Sequence, residues 1–224
     1  MRQVTRVKIC GMRSAEDIGL AVRYGADAVG FITEVPVDTP RKLDIATAAR
    51  LISQVPVFVD PVLVIMPGSG EQAVEMIEAT QPSIVQIHNR LDATGLNIIR
   101  ENTDVDIVRT FSIPRDREFM AEQLISQVGE LVDDQLVDGV LLDTSTGSKV
   151  GGSGLTHDWA ISEEIVKGVD VPVMVAGGLD PDNVGECVRR VRPYAVDTAS
   201  GIETDGVKDE TKIERFVKEV RCKI

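Results

Sequence analysis

Three side chains in this sequence sit on strands that should be apolar, and all three can take part in proton chemistry. In Val7-Lys8-Ile9-Cys10-Gly11-Met12, alternate residues of a strand share a face, so Lys8 and Cys10 point one way and Val7 and Ile9 the other. A polar pair in such a place costs free energy unless it has a partner or a task. Cys10 suits a general base or nucleophile if its thiolate is stabilised, and Lys8 is the neighbouring cation to do it. An inert cysteine filling an apolar run is the plainer alternative. In Leu141-Leu142-Asp143 a carboxylate closes an apolar strand. Partial desolvation there should raise its pKa and let it hold a proton near neutral pH, as a general acid must. The competing role is a cap for the Ser/Gly-rich turn that follows.

A second group of residues suits an anionic ligand. Ala176-Gly177-Gly178 and Ser200-Gly201 place glycines where backbone N–H groups can approach a phosphate, although Gly177-Gly178 also suits a plain tight turn. Arg41, in Thr39-Pro40-Arg41, can grip a carboxylate with two parallel hydrogen bonds, or lie on the surface. Gln86 and His88 share one face of a strand, and Arg109 lies on another among apolar residues; a single buried His or Arg is usually structural. The two histidines, His88 and His157, have no acidic or cysteine company at metal-ligand spacing. Acid–base chemistry without metal or cofactor is therefore expected.

The elements that must position these groups alternate from end to end. Strands are predicted near 4–10, 27–32, 56–64, 83–88, 105–112, 137–143, 171–176 and 194–198. Helices fall between them, one from Ser14 with Asp17 three residues on, another from Ser69 with Gln72, a seventh opened by Asp180-Pro181. The others are predicted near 44–53, 92–101, 115–132, 158–167 and 209–222. Eight strand–helix units fit a closed parallel barrel or a doubly wound sheet. The count of eight, and the lack of Gly-x-Gly-x-x-Gly after the first strand, favour an α/β fold of the (β/α)8 TIM barrel type, a single domain over 1–224. Chemistry in such a barrel collects at the C-terminal strand ends, where Thr144–Thr156 reads as a long lid loop.

Composition narrows the partners. The net charge of −12 argues against nucleic acid or an anionic membrane, so an anionic substrate must be drawn in locally. The 20 Asp, 16 Glu, 16 Arg and 8 Lys fit either adaptation to high salt or an ordinary acidic protein. The 3 cysteines, widely spaced, suit a reducing compartment, and no apolar run is long enough for a membrane helix. A cytoplasmic monomer or homodimer is expected.

Together these stretches resemble the phosphoribosylanthranilate isomerase family of tryptophan biosynthesis. The resemblance rests on Lys8-Ile9-Cys10-Gly11-Met12, Gly30-Phe31, Pro40-Arg41, Val85-Gln86-Ile87-His88, Leu141-Leu142-Asp143, Gly151-Gly152-Ser153-Gly154 with Asp158-Trp159, Ala176-Gly177-Gly178-Leu179 with Asn183-Val184, and Asp197 with Ser200-Gly201-Ile202-Glu203. Asn89 stands where a glycine is usual, and Thr198-Ala199 replaces a more serine-rich run. The resemblance implies an Amadori rearrangement of N-(5-phosphoribosyl)anthranilate, with Asp143 the general acid and Cys10 the general base. It also implies that Lys8, Arg41, His88, Arg109, Gly152, Gly154 and Asp197 meet the phosphosugar substrate, with Arg41 on the anthranilate carboxylate. Gly177, Gly178, Ser200 and Gly201 would hold the phosphate. Rival readings are the phosphosugar isomerase of the histidine pathway and a silent phosphosugar-binding barrel.

Overall fold

The structure, a computed structural model, describes residues 4–115, 121–146, 149–150 and 156–222. Eight parallel strands carry the fold: β1 Arg6–Cys10, β2 Ala28–Thr33, β3 Asp60–Ile65, β4 Ile84–Ile87, β5 Asp106–Pro114, β6 Gly139–Thr146, β7 Val173–Val175 and β8 Ala195–Thr198. Each pairs with the next in chain order, and β1 pairs with both β8 and β2, so the sheet closes on itself. The helices are α1 Ala15–Arg23, α2 Ile45–Ile52, α3 Gly70–Thr80, α4 Ala93–Asn102, α5 Ala121–Asp133, α6 Trp159–Gly168, α7 Val184–Val191 and α8 Glu210–Arg221. This is the expected (β/α)8 barrel.

Strand alternation divides the chain into two apolar zones. Val7, Ile9, Phe31, Leu63, Ile65, Ile87 and Ile107 face the helices and join Phe216 of α8 in one core. Burial of each such side chain contributes roughly 1.5–3 kcal/mol. Inside the barrel the packing is thinner, with Cys10 against Val62 and Val64, and Val108 against Leu141 and Ala176. The outer layer therefore carries most of the apolar burial, which leaves the barrel interior able to hold polar groups.

Local capping sets the helix starts. Ser14 and Ser69 accept the backbone N–H of Asp17 and Gln72, as their spacing predicts. Asp44, Asp92, Asp158 and Asp209 do the same for α2, α4, α6 and α8. The seventh helix differs from expectation. Asp180-Pro181 forms a preceding turn, with Asp180 Oδ1 accepting from Asp182 and Asn183, and α7 begins three residues later at Val184. The third strand also starts later, at Asp60, because Val59 N–H closes a turn onto Pro56 and Phe58 adopts φ 70. Residues 116–120, expected in the fifth helix, lie outside the described residues. Part of the expected lid is strand: β6 runs on to Thr146 and pairs antiparallel with Lys149–Val150, while Gly152 and Gly154 lie outside the described residues.

Candidate active site

A cavity of about 340 Å³ opens at the C-terminal ends of the strands. Cys10 from β1, His88 just past β4, Asp143 from β6 and Asp197 from β8 line it, each inward by strand alternation. Arg41 closes one side and Gly177, Gly178, Ser200 and Gly201 another. Residues from separate parts of the sequence thus meet at one point.

Asp143 is buried, and desolvation with the nearby Asp197 charge pushes its carboxyl up to about 7. His88 Nε2 stands 3.6 Å from its Oδ2. Gln86 Nε2 approaches His88 Nδ1 at 3.4 Å, a contact compatible with the imidazole proton on Nε2, facing Asp143. Burial, then the Lys8 charge, holds His88 below its ordinary pKa and so neutral. Gln86 also donates to Thr110, the residue after Arg109.

At Cys10 the thiolate that a general base needs is not the resting form. Burial raises its pKa; Lys8 and Lys208 oppose this and Asp197 adds to it, so the net direction is upward. The free protein therefore holds a thiol. Lys8 lies beneath the cavity and pairs with Asp197 Oδ2 at 3.0 Å. Burial opposes its charge, but Asp197 and Cys10 outweigh that and hold the ammonium raised. Asp197 Oδ1 is buried and accepts no hydrogen bond.

Arg109 is a correction. Thr110 and Val108 face the barrel interior, so Arg109 faces outward and is absent from the cavity wall. Its Nη1 donates to the Leu91 carbonyl instead, and its guanidinium lies 5.7 Å from the Phe111 ring. Its setting among apolar residues marks a structural arginine.

The glycine corner of the cavity is built from close backbone contacts. Gly177 has φ 84, and a Cβ there would stand 2.4 Å from the Thr144 nitrogen. A Cβ on Gly201 would fall 2.0 Å from the Leu179 carbonyl oxygen, whose other partner is Thr198 Oγ1 at 2.7 Å. Ser200–Ile202 form one 3-10 turn, so the N–H groups of Ser200 and Gly201 have no acceptor within it.

The sequence assigned no role to two further buried groups. His157 is buried behind this corner, with Nδ1 2.8 Å from Thr144 Oγ1 and Nε2 2.6 Å from Ser162 Oγ. Burial pushes its pKa down to about 4. Thr144 Oγ1 also donates to the Gly177 carbonyl at 3.3 Å, tying β6 to the glycine turn. The other group is Lys208, buried beside Cys10 on the short hairpin Glu203–Thr204 with Val207–Lys208. Asp205-Gly206 between them is a two-residue hairpin signal, which would have paired Glu203 with Lys208. Among the described residues no three His, Cys, Asp or Glu side chains could hold a metal ion. Nor is any helix of the described residues long and apolar enough to cross a membrane.

The model of the N-(5'-phosphoribosyl)anthranilate isomerase family matches residues 7–219. The chain belongs to that family. It is an isomerase of tryptophan biosynthesis. The N-(5'-phosphoribosyl)anthranilate isomerase of Methanosarcina acetivorans is 52% identical over 97% of this chain and 94% of its own. A phosphoribosylanthranilate isomerase in complex with reduced 1-(o-carboxyphenylamino)-1-deoxyribulose 5-phosphate superimposes with TM-score 0.76 at 27% identity, covering 97% of this chain and 99% of that one. Monomers generated from the dimeric phosphoribosylanthranilate isomerase of Thermotoga maritima give TM-score 0.77 at 26% identity over the same shares.

Proposed function

We propose that Asp143 and Cys10 divide the proton transfers of the Amadori rearrangement. Asp143, protonated, gives its proton to the ribose ring oxygen and opens the ring to a Schiff base. Cys10, as thiolate, takes the C2 proton, and the resulting enolamine becomes the ketone. The observation carrying this reading is the pair itself: a carboxyl held near pH 7 and a cysteine sulfur on one cavity wall, with cationic Lys8 and Lys208 favouring the thiolate.

The other groups orient the substrate. Asp197 Oδ1, buried and unpartnered, suits a sugar hydroxyl, with Lys8 fixing the carboxylate from below. His88 donates toward Asp143 and favours its ionised form once the proton has left. The backbone at Gly177, Gly178, Ser200 and Gly201 takes the phosphate, and Arg41 takes the anthranilate carboxylate. Gly152 and Gly154 keep the covering role that the family resemblance implies. Residues 1–224 act as one domain.

The test is the fluorescence decay of phosphoribosylanthranilate with wild type, Cys10→Ala and Asp143→Asn. Each variant should lose roughly 10²–10⁴ in kcat while still binding the reduced product analogue. A Cys10→Ala protein that kept full activity would remove the base assigned here.

The cytoplasm suits three unpaired thiols, one of them exposed. Between monomer and homodimer, the exposed Val57 and Phe58 favour the homodimer: Phe58 is 100% exposed beside the start of β3. Sedimentation should find a dimer that Phe58→Asp converts to a monomer.

A further inference from the structure

The hairpin after β8 holds a buried charge cluster to which the reaction assigns no proton transfer. Glu203 and Lys208 are register partners across it, with side chains 4% and 0% exposed. Lys208 Nζ donates to the Cys10 carbonyl at 2.7 Å, the Ala199 carbonyl at 3.1 Å and Glu203 Oε1 at 3.0 Å. An ammonium has three donors, so this one is fully used. Glu203 in turn accepts Arg41 Nε through Oε1 at 2.9 Å and Arg41 Nη2 through Oε2.

Two consequences follow from this wiring. The Nε–Nη2 edge of Arg41 is occupied and its guanidinium plane is fixed, so only the Nη1–Nη2 edge remains for a second carboxylate. The cluster also holds two cations and one anion, a local charge of +1 in a chain of net −12. That excess charge attracts an anionic group on the substrate.

We infer that Glu203 and Lys208 are a positioning pair that makes this isomerase specific for a carboxylate-bearing arylamine. Glu203 aims the free edge of Arg41 at the substrate carboxylate. Lys208 fixes Glu203 and ties that clamp to the backbone of the base, at Cys10, and of the phosphate turn, at Ala199. The inference rests on Arg41 meeting the anthranilate carboxylate, and the experiment separates the two.

KM and kcat are measured for wild type, Glu203→Gln, Arg41→Ala and the double variant, with inorganic phosphate as a competing ligand. Arg41→Ala alone should raise KM at least tenfold; if KM does not move, the reading of Arg41 fails. Glu203→Gln should also raise KM at least tenfold, with the effect falling on KM rather than kcat and the phosphate inhibition constant changing less than twofold. Added to Arg41→Ala, it should then change KM less than twofold, because it acts through that guanidinium. Arg41→Ala with a large effect but Glu203→Gln with none, or effects that multiply in the double variant, overturns the positioning role alone. If Glu203→Gln does not fold, Lys208→Met is carried through the same cycle with the same criteria on KM.

Discussion

Replacing Asp143 by Asn should stabilise the protein in neutral solution while cutting kcat by roughly 10²–10⁴. The carboxyl moves from 3.8 in the free side chain to about 7 when buried next to Asp197. The native state therefore binds this proton more tightly than the unfolded chain does. Between about pH 4 and pH 7 folding takes up a proton, so this group's contribution to stability falls as pH rises through that window and stays low above it. At about 1.4 kcal/mol per pH unit the full difference is on the order of 4 kcal/mol. Asn cannot ionise and escapes it. Equilibrium urea unfolding of wild type and Asp143→Asn from pH 4 to pH 8 isolates the effect. At pH 4 the native carboxyl is neutral and only the unfolded one is partly ionised, so the difference reports mainly the exchange of groups. By pH 8 the variant should have gained several kcal/mol relative to that baseline. Parallel stability curves across the range would refute a native carboxyl held near 7, and with it the physical reason for a proton donor here.

Two further substitutions test the surroundings. His157, held at about 4 against 6.5, destabilises the native state as pH falls from about 6.5 to 4, by roughly 3 kcal/mol when complete; His157→Gln should flatten that acid limb in the same unfolding series. Gly201→Ala places a methyl 2.0 Å from the Leu179 oxygen and must displace the turn. Inorganic phosphate should then inhibit at least tenfold less well, with a stability loss of about 1–3 kcal/mol by denaturant titration.

The barrel was legible because its signals are local. β-branched runs at steady spacing and caps such as Ser14 and Ser69 each need only a few neighbouring residues. Asp180-Pro181 misled for the same reason: the pair suits a helix start, yet Asn183 reaches back to the Asp180 N–H and the Gly178 carbonyl and makes a turn first. Lys8, Cys10 and Asp143 were legible as polar residues on apolar strands, and Asp197 only through the family resemblance. Arg109 shares that signature and does not share the cavity, because strand parity relative to Gln86 and Thr110 is set by register between strands. The partners of Arg41 and the net direction of the Cys10 pKa were out of reach, since Arg41 meets Glu203, and Cys10 meets Lys208, only through tertiary packing.

Both groups proposed to move protons lie above their ordinary values, Asp143 at about 7 and Cys10 above 9.0. The rearrangement needs the carboxyl protonated and the sulfur bare. With one proton shared between them, it rests on sulfur most of the time, so the working arrangement is the minor one. A minor working form is tolerable beside the roughly 8 kcal/mol or more by which enzymes lower barriers. A thiolate of high proton affinity is also the stronger base for a carbon-bound proton. Lys8 and Lys208 favour that thiolate, Asp197 opposes it, and Arg41 stands within electrostatic reach, so these charges set how rare the working form is. The dependence of kcat/KM on pH should then be a bell with limbs near 7 and above 9. The lower limb belongs to Asp143, and alkylation of Cys10 titrates on the upper one. A Cys10 alkylation midpoint near 7 would reverse the assignment and show a thiolate ready in the free protein.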